Sequence, residues 1–499
     1  MSGIGAVPSL AVGSQQRSEL VALVAALLFL GAISAVEPAA AVATVLVLLV
    51  LVTFLLDRRA AMLPLLLWLL TQNTVVAMLE SGGLTEVTVW LRRSDEVMLV
   101  SLAMATGLEQ LLSHGRVRLC GMAPPVLALL FVATASAARA GHAPLFVSSL
   151  DLVLLLKGAL IFVVLAHVAY TAPPIEGRTV LLWVLVPGVI ALAAAAIELI
   201  APGDFRAFVG LPTALYIRAG WSSLQGPFVH PGVFGWFMAV CAIASVAIAM
   251  GGERRAWLWT LPFLLGILAS GRRKPLAGVA VAILVMVWVT SPRNVRWRRV
   301  LSVVVGLAAL AVLFWPFIQD LVTSALRAYL FTRDPMQQAR DVLYVASASL
   351  AYRYFPLGAG PGLFGGYAAR LFYSPLYAQM GLNHVWGLSR SNPAFLDDTF
   401  WPHLLGEFGV LGVAAYCWLL YAAVRPAVGS FRNSARSIQL LARFGIGLLV
   451  EGLLESVASA GFESSLQALL TFGTLGLIAG AALSTKSGGV ADVATSAPG

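Results

Sequence analysis

Residues 149–170 read SLDLVLLLKGALIFVVLAHVAY, a stretch whose charged side chains are Asp151 and Lys157 alone. About 20 mostly apolar residues are what a helix needs to cross a bilayer. Runs of this kind recur along the 499 residues, with approximate cores at 19–36, 39–56, 60–79, 95–112, 119–138, 149–170, 179–200, 231–250, 255–270, 275–290, 300–319, 403–424, 438–458 and 464–483. The weakest are 95–112 and 119–138, interrupted by Glu109 and the Pro124-Pro125 step. Composition agrees: 60% of the residues are hydrophobic and 11% charged, whereas roughly a quarter are charged in soluble domains. The expected fold class is an all-α polytopic membrane protein of 12–14 transmembrane helices with one long extracytoplasmic loop.

The expected organisation is a disordered tail 1–18, a transmembrane bundle 19–319, a loop 320–402, further transmembrane helices 403–484 and a disordered tail 485–499. The net charge of +9 would suggest nucleic acid in a soluble chain, but here the basic residues cluster in short loops between apolar runs, as determinants of orientation do. Nucleic acid is therefore set aside as a partner, and membrane lipids take its place. Cys120, Cys241 and Cys417 share no metal-ligand spacing, so neither a disulfide framework nor a metal site is expected from them.

Placing both termini in the cytoplasm puts Arg58-Arg59, Arg116, Arg118, Arg178, Arg254-Arg255, the group 293–299 and Arg425, Arg432 and Arg436 inside, as the positive-inside rule requires. Arg92-Arg93, Arg218 and the run Arg272-Arg273-Lys274 then lie outside, with the loop 320–402. Outward cations that break the rule reflect a miscounted helix upstream, snorkel to phospholipid headgroups, or bind an anion, for which guanidinium forks suit phosphate. Lys157, deep in an apolar run, needs a partner or a water-filled cavity and is a candidate functional residue on that ground. Glu451, Glu455 and Glu463 are candidate partners for the outward cations.

The second decisive stretch is 396–412, LDDTFWPHLLGEFGVLG, where the loop re-enters apolar sequence. Once a helix starts there, Glu407 lies one turn beyond His403 on the same face, and Asp397 and Asp398 precede it, where carboxylates suit the helix dipole. The loop also carries the glycine-rich segment 358–366, GAGPGLFGG, and Arg353 and His384 among several aromatic residues. Glycines in that density mark tight turns or close backbone approach to a ligand. Upstream, residues 217–238, IRAGWSSLQGPFVHPGVFGWFM, break the backbone at Gly226, Pro227, Pro231 and Gly232 around His230. Irregular backbone at membrane depth must be buried in protein or line a cavity.

Taken together, RAGWSSLQGPFVHPGVFGWFM, SGRRKPLAG, GAGPGLFGG and WPHLLGEFGVLG resemble the motifs of the O-antigen ligase and Wzy-type polysaccharide polymerase superfamily, over about residues 150–425. The resemblance implies a GT-C-related fold and an inverting, metal-independent, cofactor-free glycosyl transfer. The donor would be a polyprenyl-pyrophosphate-linked glycan at the outer face of the bacterial inner membrane, and the acceptor a glycan or lipid. It further implies that Arg218 and Arg273, with Arg272 and Lys274 beside them, bind pyrophosphate, and it admits a chain-length regulator as a partner. Ligases of this superfamily carry a histidine about nine residues before the glutamate of E-x-G-x-x-G, and here that position is Asp398. Catalytic candidates are thus Asp398, His403 and Glu407, with Asp397, Lys157, His230, Arg353 and His384 as accessories. A polymerase is favoured over a ligase, and a transporter or flippase is the rival from another class.

Overall fold

In the computed structural model the described residues are 41–495, except 115–118, 141–142, 172–175, 212–216, 219–220, 314, 316–318 and 320–334. The expected tail 1–18 and first span 19–36 lie outside them, as do residues 496–499. Helices α1 (Ala41–Leu56), α2 (Met62–Ser81), α3 (Thr85–Leu91), α4 (Ser94–His114), α5 (Ala123–Ala140), α6 (Leu145–Thr171), α7 (Gly177–Ile200) and α8 (Pro202–Phe208) lead into an irregular segment with paired strands β1 (Ile217–Arg218) and β2 (Trp221–Ser222). Then follow α9 (Pro231–Met250), α10 (Trp257–Ala269), α11 (Arg273–Thr290) and α12 (Arg296–Leu313). The described part of the insertion holds α13 (Pro335–Arg353), α14 (Tyr367–Phe372) and α15 (Pro375–Gln379); α16 (Phe400–Asn433), α17 (Arg436–Glu455), α18 (Ser465–Ala468) and α19 (Thr474–Thr495) complete the chain. α19 thus runs on into the segment expected as a tail.

Among the described residues nine helical segments are long and apolar enough to cross a membrane, and two shorter apolar helices coincide with α1 and α5. The chain is a multi-pass, essentially all-helical protein of the membrane type. Among the described residues every expected span from 39–56 onward overlaps a helix, including those marked as weak, while the helices at 255–270 and 300–319 are not among these eleven. Glu109 does not break α4, because it is paired with Arg58 and lies 3.1 Å from His167. The two prolines of the other weak run sit in the first turn of α5, where a missing N–H costs nothing.

α6 carries apolar residues around its whole circumference, as a largely buried helix does, with Asp151, Lys157 and His167 buried among them, and α19 lies along it. Gly476 and Gly480, one turn apart, set α19 against the backbone of α6 so closely that a Cβ would fall 2.4 Å from Phe162 O and 2.0 Å from Ala166 O. Small residues at this spacing are the usual device for close helix approach in lipid, where dispersion replaces the hydrophobic drive.

The irregular segment before α9 is held by a buried acid. Glu198 accepts from the N–H groups of Gln225 (2.9 Å) and Gly226 (2.8 Å) and pairs with Arg206 at 3.0 Å. Leu224 N donates to Ala269 O and Thr74 to Pro227 O, so these backbone polar groups of the broken stretch are satisfied inside protein. α9 then opens on Pro231, with His230 Nδ1 accepting from Gly232 N at 3.0 Å.

Contacts between connectors fix which ends of the helices lie together. At one end Arg58 meets Glu109 and Thr171, Gly177 N meets Ser437, Arg178 meets Glu253, and Arg436 meets Gly251 O. At the other Arg93 meets Tyr367, Lys274 meets Glu455 and His403 meets Glu463. The cations at odds with the orientation rule therefore share an end with the insertion. In a cysteine-free background, Arg390→Cys in the insertion and Ala435→Cys between α16 and α17 should react with an impermeant thiol reagent from opposite sides of the membrane, Arg390→Cys in intact cells. Labelling of both from one side would contradict this arrangement.

Candidate functional site

α16 carries the site, and a defect in that helix shapes it. Gly409 has φ 64° and ψ −161°, a conformation open in practice to glycine alone. The break separates carbonyls 406 and 407 from their partners one turn on. The insertion supplies replacements: Ala359 N donates to Gly406 O (2.8 Å), Gly360 N to Glu407 O (2.9 Å), and Leu411 N to Pro356 O (3.3 Å). The glycine-rich segment is thereby laid against the first turns of α16. The Glu407 carboxylate holds it there, accepting from Gly362 N at 2.8 Å and Phe364 N at 2.6 Å.

His403 stands at the centre. Its Nδ1 is 2.7 Å from Glu463 Oε1, and its Nε2 is 3.2 Å from Asp151 Oδ1 and 3.3 Å from Glu407 Oε2. The expected His403–Glu407 pairing on one face is present. His403, Glu407 and Asp151 are at most 1% exposed. One ligand atom from each of Asp151, His403 and Glu407 lies within 4.8 Å of the others, a set able to hold a metal ion. Neither oxygen of Asp151 completes a hydrogen bond. Lys157, also buried, lies 3.2 Å from Glu96 and donates to Glu463 O and Ser465 Oγ, both at 2.9 Å. It has the partner that its position in an apolar run demanded.

Above this layer the two aspartates form an accessible rim. Asp397 takes both oxygens to Arg370 at 3.0 Å, and Asp398 receives Arg340 through Nε at 2.8 Å and through Nη2. Their side chains remain 19% and 27% exposed. Burial pushes both carboxyls above the ordinary carboxylate range, against the pull of Arg370 on one and Arg340 on the other. Beneath them Tyr377 accepts from Gly365 N at 2.9 Å, and burial keeps its phenol protonated far above the usual range.

The connector 456–464 joins this centre to the basic run. Lys274 reaches Glu455 (2.9 Å) and Ala458 O (2.7 Å), while Trp401 donates to Ser456 and Tyr344 to Val457 O. Arg272 Nη2 lies 3.1 Å from His230 Nε2, and Arg273, half-buried, begins α11, which has neither a side-chain cap nor an acid in its first turn. Of the acids expected to serve the outward cations, Glu455 does so. Glu451 instead accepts from Trp236 Nε1 at 2.9 Å, and Glu463 belongs to His403. Arg353 and His384 are exposed on the insertion, Arg353 over the Tyr354 ring, and are not drawn into the cluster. Arg218 sits in β1, and its side chain lies outside the described part.

Sequence reasoning missed Asp151, Glu96, Arg340 and Arg370. Asp151 had a signal, since it is the second ionisable residue in the apolar run that made Lys157 a candidate. The others are polar residues that tertiary packing alone assigns.

A multi-pass helical membrane protein with a buried carboxylate–histidine centre under a folded insertion is the class that fold and site define. Neither a scan against protein-family models nor a search of curated proteins finds a match to the chain.

Proposed function

We propose that this chain is a glycosyltransferase of the bacterial inner membrane that polymerises an envelope polysaccharide or exopolysaccharide, or ligates one to lipid A core, from a polyprenyl-pyrophosphate-linked donor at the outer face. The observation that carries the reading is the start of α11, where Arg272, Arg273 and Lys274 crowd a helix N-terminus without a first-turn acid. The helix dipole disfavours cations there and favours an anion. A pyrophosphate supplies that anion. The acceptor hydroxyl attacks the anomeric carbon, the new C–O bond forming as the bond to the phosphate oxygen breaks, and its proton passes to Asp398. Arg218, Arg272, Arg273 and Lys274 stabilise the departing pyrophosphate. Asp398 suits the base because it is accessible and its carboxyl is raised towards neutrality, whereas His403 and Glu407 support it from below.

The test is polymer formation by the purified protein in lipid from a synthetic polyprenyl-linked repeat unit. Arg273→Ala should abolish polymer with the protein still inserted, and Arg273→Lys should rescue poorly, lacking the bidentate fork. Normal polymer from Arg273→Ala would return that arginine to a headgroup role. Transport of the same donor is the second reading, favoured by the Arg58–Glu109–His167 group at the opposite end, of which Glu109 and His167 are buried, since intramembrane ionisable groups mark pathways. Translocation of a labelled lipid-linked glycan without polymer would favour it.

A further inference from the structure

We propose that Asp151, His403 and Glu407 bind a divalent first-row metal ion beneath the glycine-rich segment, with Glu463 orienting the imidazole. The observations behind this site do not use the glycosyl-transfer reading. One ligand atom from each of the three lies within 4.8 Å of the others. Nε2 of His403 lies 3.2 Å from Asp151 Oδ1 and 3.3 Å from Glu407 Oε2. Ligands held at zinc-type bond lengths in a tetrahedron are separated by about 3.3 Å. The other imidazole nitrogen is 2.7 Å from Glu463 Oε1, the carboxylate–histidine–metal relay that fixes tautomer and ring orientation at metal centres.

Asp151 is the independent sign of a ligand. It is 1% exposed, and neither of its oxygens completes a hydrogen bond although Oδ1 faces the ring. Space is reserved beside it, because a Cβ on Gly366 would fall 2.7 Å from His403 Nε2 and 2.8 Å from Asp151 Oδ1. The donor set points the same way. Asp151 and Glu407 face one nitrogen of a single buried imidazole and Glu463 faces the other, an oxygen-rich set of the kind that divalent ions take. Lys157 takes the backbone oxygen of Glu463 and pairs with Glu96, so its charge is directed elsewhere. Two carboxylates and one imidazole suit Zn²⁺ or Mn²⁺. The ion ties α6, α16 and the glycine-rich segment together and sets the floor under the aspartate rim.

The experiment is metal analysis of the full-length protein purified without chelators, followed by stripping and titration with Zn²⁺ and with Mn²⁺ while following thermal unfolding. About one ion per chain and a reversible rise in melting temperature on reloading are expected. Asp151→Asn and Glu407→Gln should each lower retained metal at least tenfold, and Glu463→Gln should weaken affinity about 10–100-fold. Glu451→Gln, at a buried acid outside the set, should leave the content unchanged. Where a variant fails to fold, Co²⁺ loaded into the wild-type protein supplies the readout, through the intense visible absorption of a low-coordinate nitrogen and oxygen site. Metal-free wild-type protein that responds to neither ion would overturn the proposal in favour of protons alone, and so would bound metal unaffected by Asp151→Asn and Glu407→Gln. All these readouts are made without substrate, so their failure leaves the transferase reading untouched.

Discussion

Asp398→Asn should lower polymer formation about 10²–10⁴-fold, the range for loss of a general base, at every pH tested and with the protein still folded. The expectation rests on access and chemistry together: Asp398 keeps 27% of its side chain exposed at the rim, while His403, one turn into the helix, keeps 1%. The wild-type profile adds a signed test. A base must be ionised to accept a proton, and burial raises the Asp398 carboxyl while Arg340, and Lys274 behind it, hold it down. The acid limb should therefore lie above the ordinary carboxylate range. Arg340→Gln removes the pull towards the ionised form, so the limb should move to higher pH. Full activity in Asp398→Asn with complete loss in His403→Ala would overturn the assignment, and an unmoved limb in Arg340→Gln would remove Asp398 as the titrating group.

Lys157→Met should destabilise the protein by about 3–5 kcal/mol, the cost of removing one member of a buried ion pair. Lys157 is 4% exposed, and its loss leaves Glu96, Glu463 O and Ser465 Oγ without their cation at membrane depth. The double variant Lys157→Met/Glu96→Gln should recover most of that loss, because a neutral pair of similar volume is often as stable as a buried ionic one. Unfolding of the single and double variants in one detergent would show this. A loss under about 1 kcal/mol in Lys157→Met would mean that water already screens the lysine.

The helices were legible because each apolar run is long, and length with hydropathy is nearly all that spanning a bilayer requires. Lys157 was legible as needing a partner, and His403 with Glu407 as facing the same way, since both follow from local spacing. The identity of the partners was not. Glu463 is 60 residues from His403 and Asp151 farther still, and nothing in local pattern says which acids packing will bring to one ring. The aspartates read as acids placed before a helix start, and each also holds an arginine of the insertion, Arg370 and Arg340, that lay in no motif. Glycine-rich sequence in 358–366 announced tight turns or close approach to a ligand, and the close approach is to α16 itself and to the buried centre.

The break at Gly409 has an evolutionary reading. Because Ala359 and Gly360 complete the hydrogen bonding of α16 and Pro356 completes that of Leu411, insertion and helix are halves of one element. Deleting the insertion would strand backbone groups in a setting where each costs several kcal/mol. It is therefore not a detachable module. Residues 356–366 and 400–412 can diverge only in step, and a chimera that exchanges loops between two such proteins should insert properly only when the junction carries the opening turns of α16 with it.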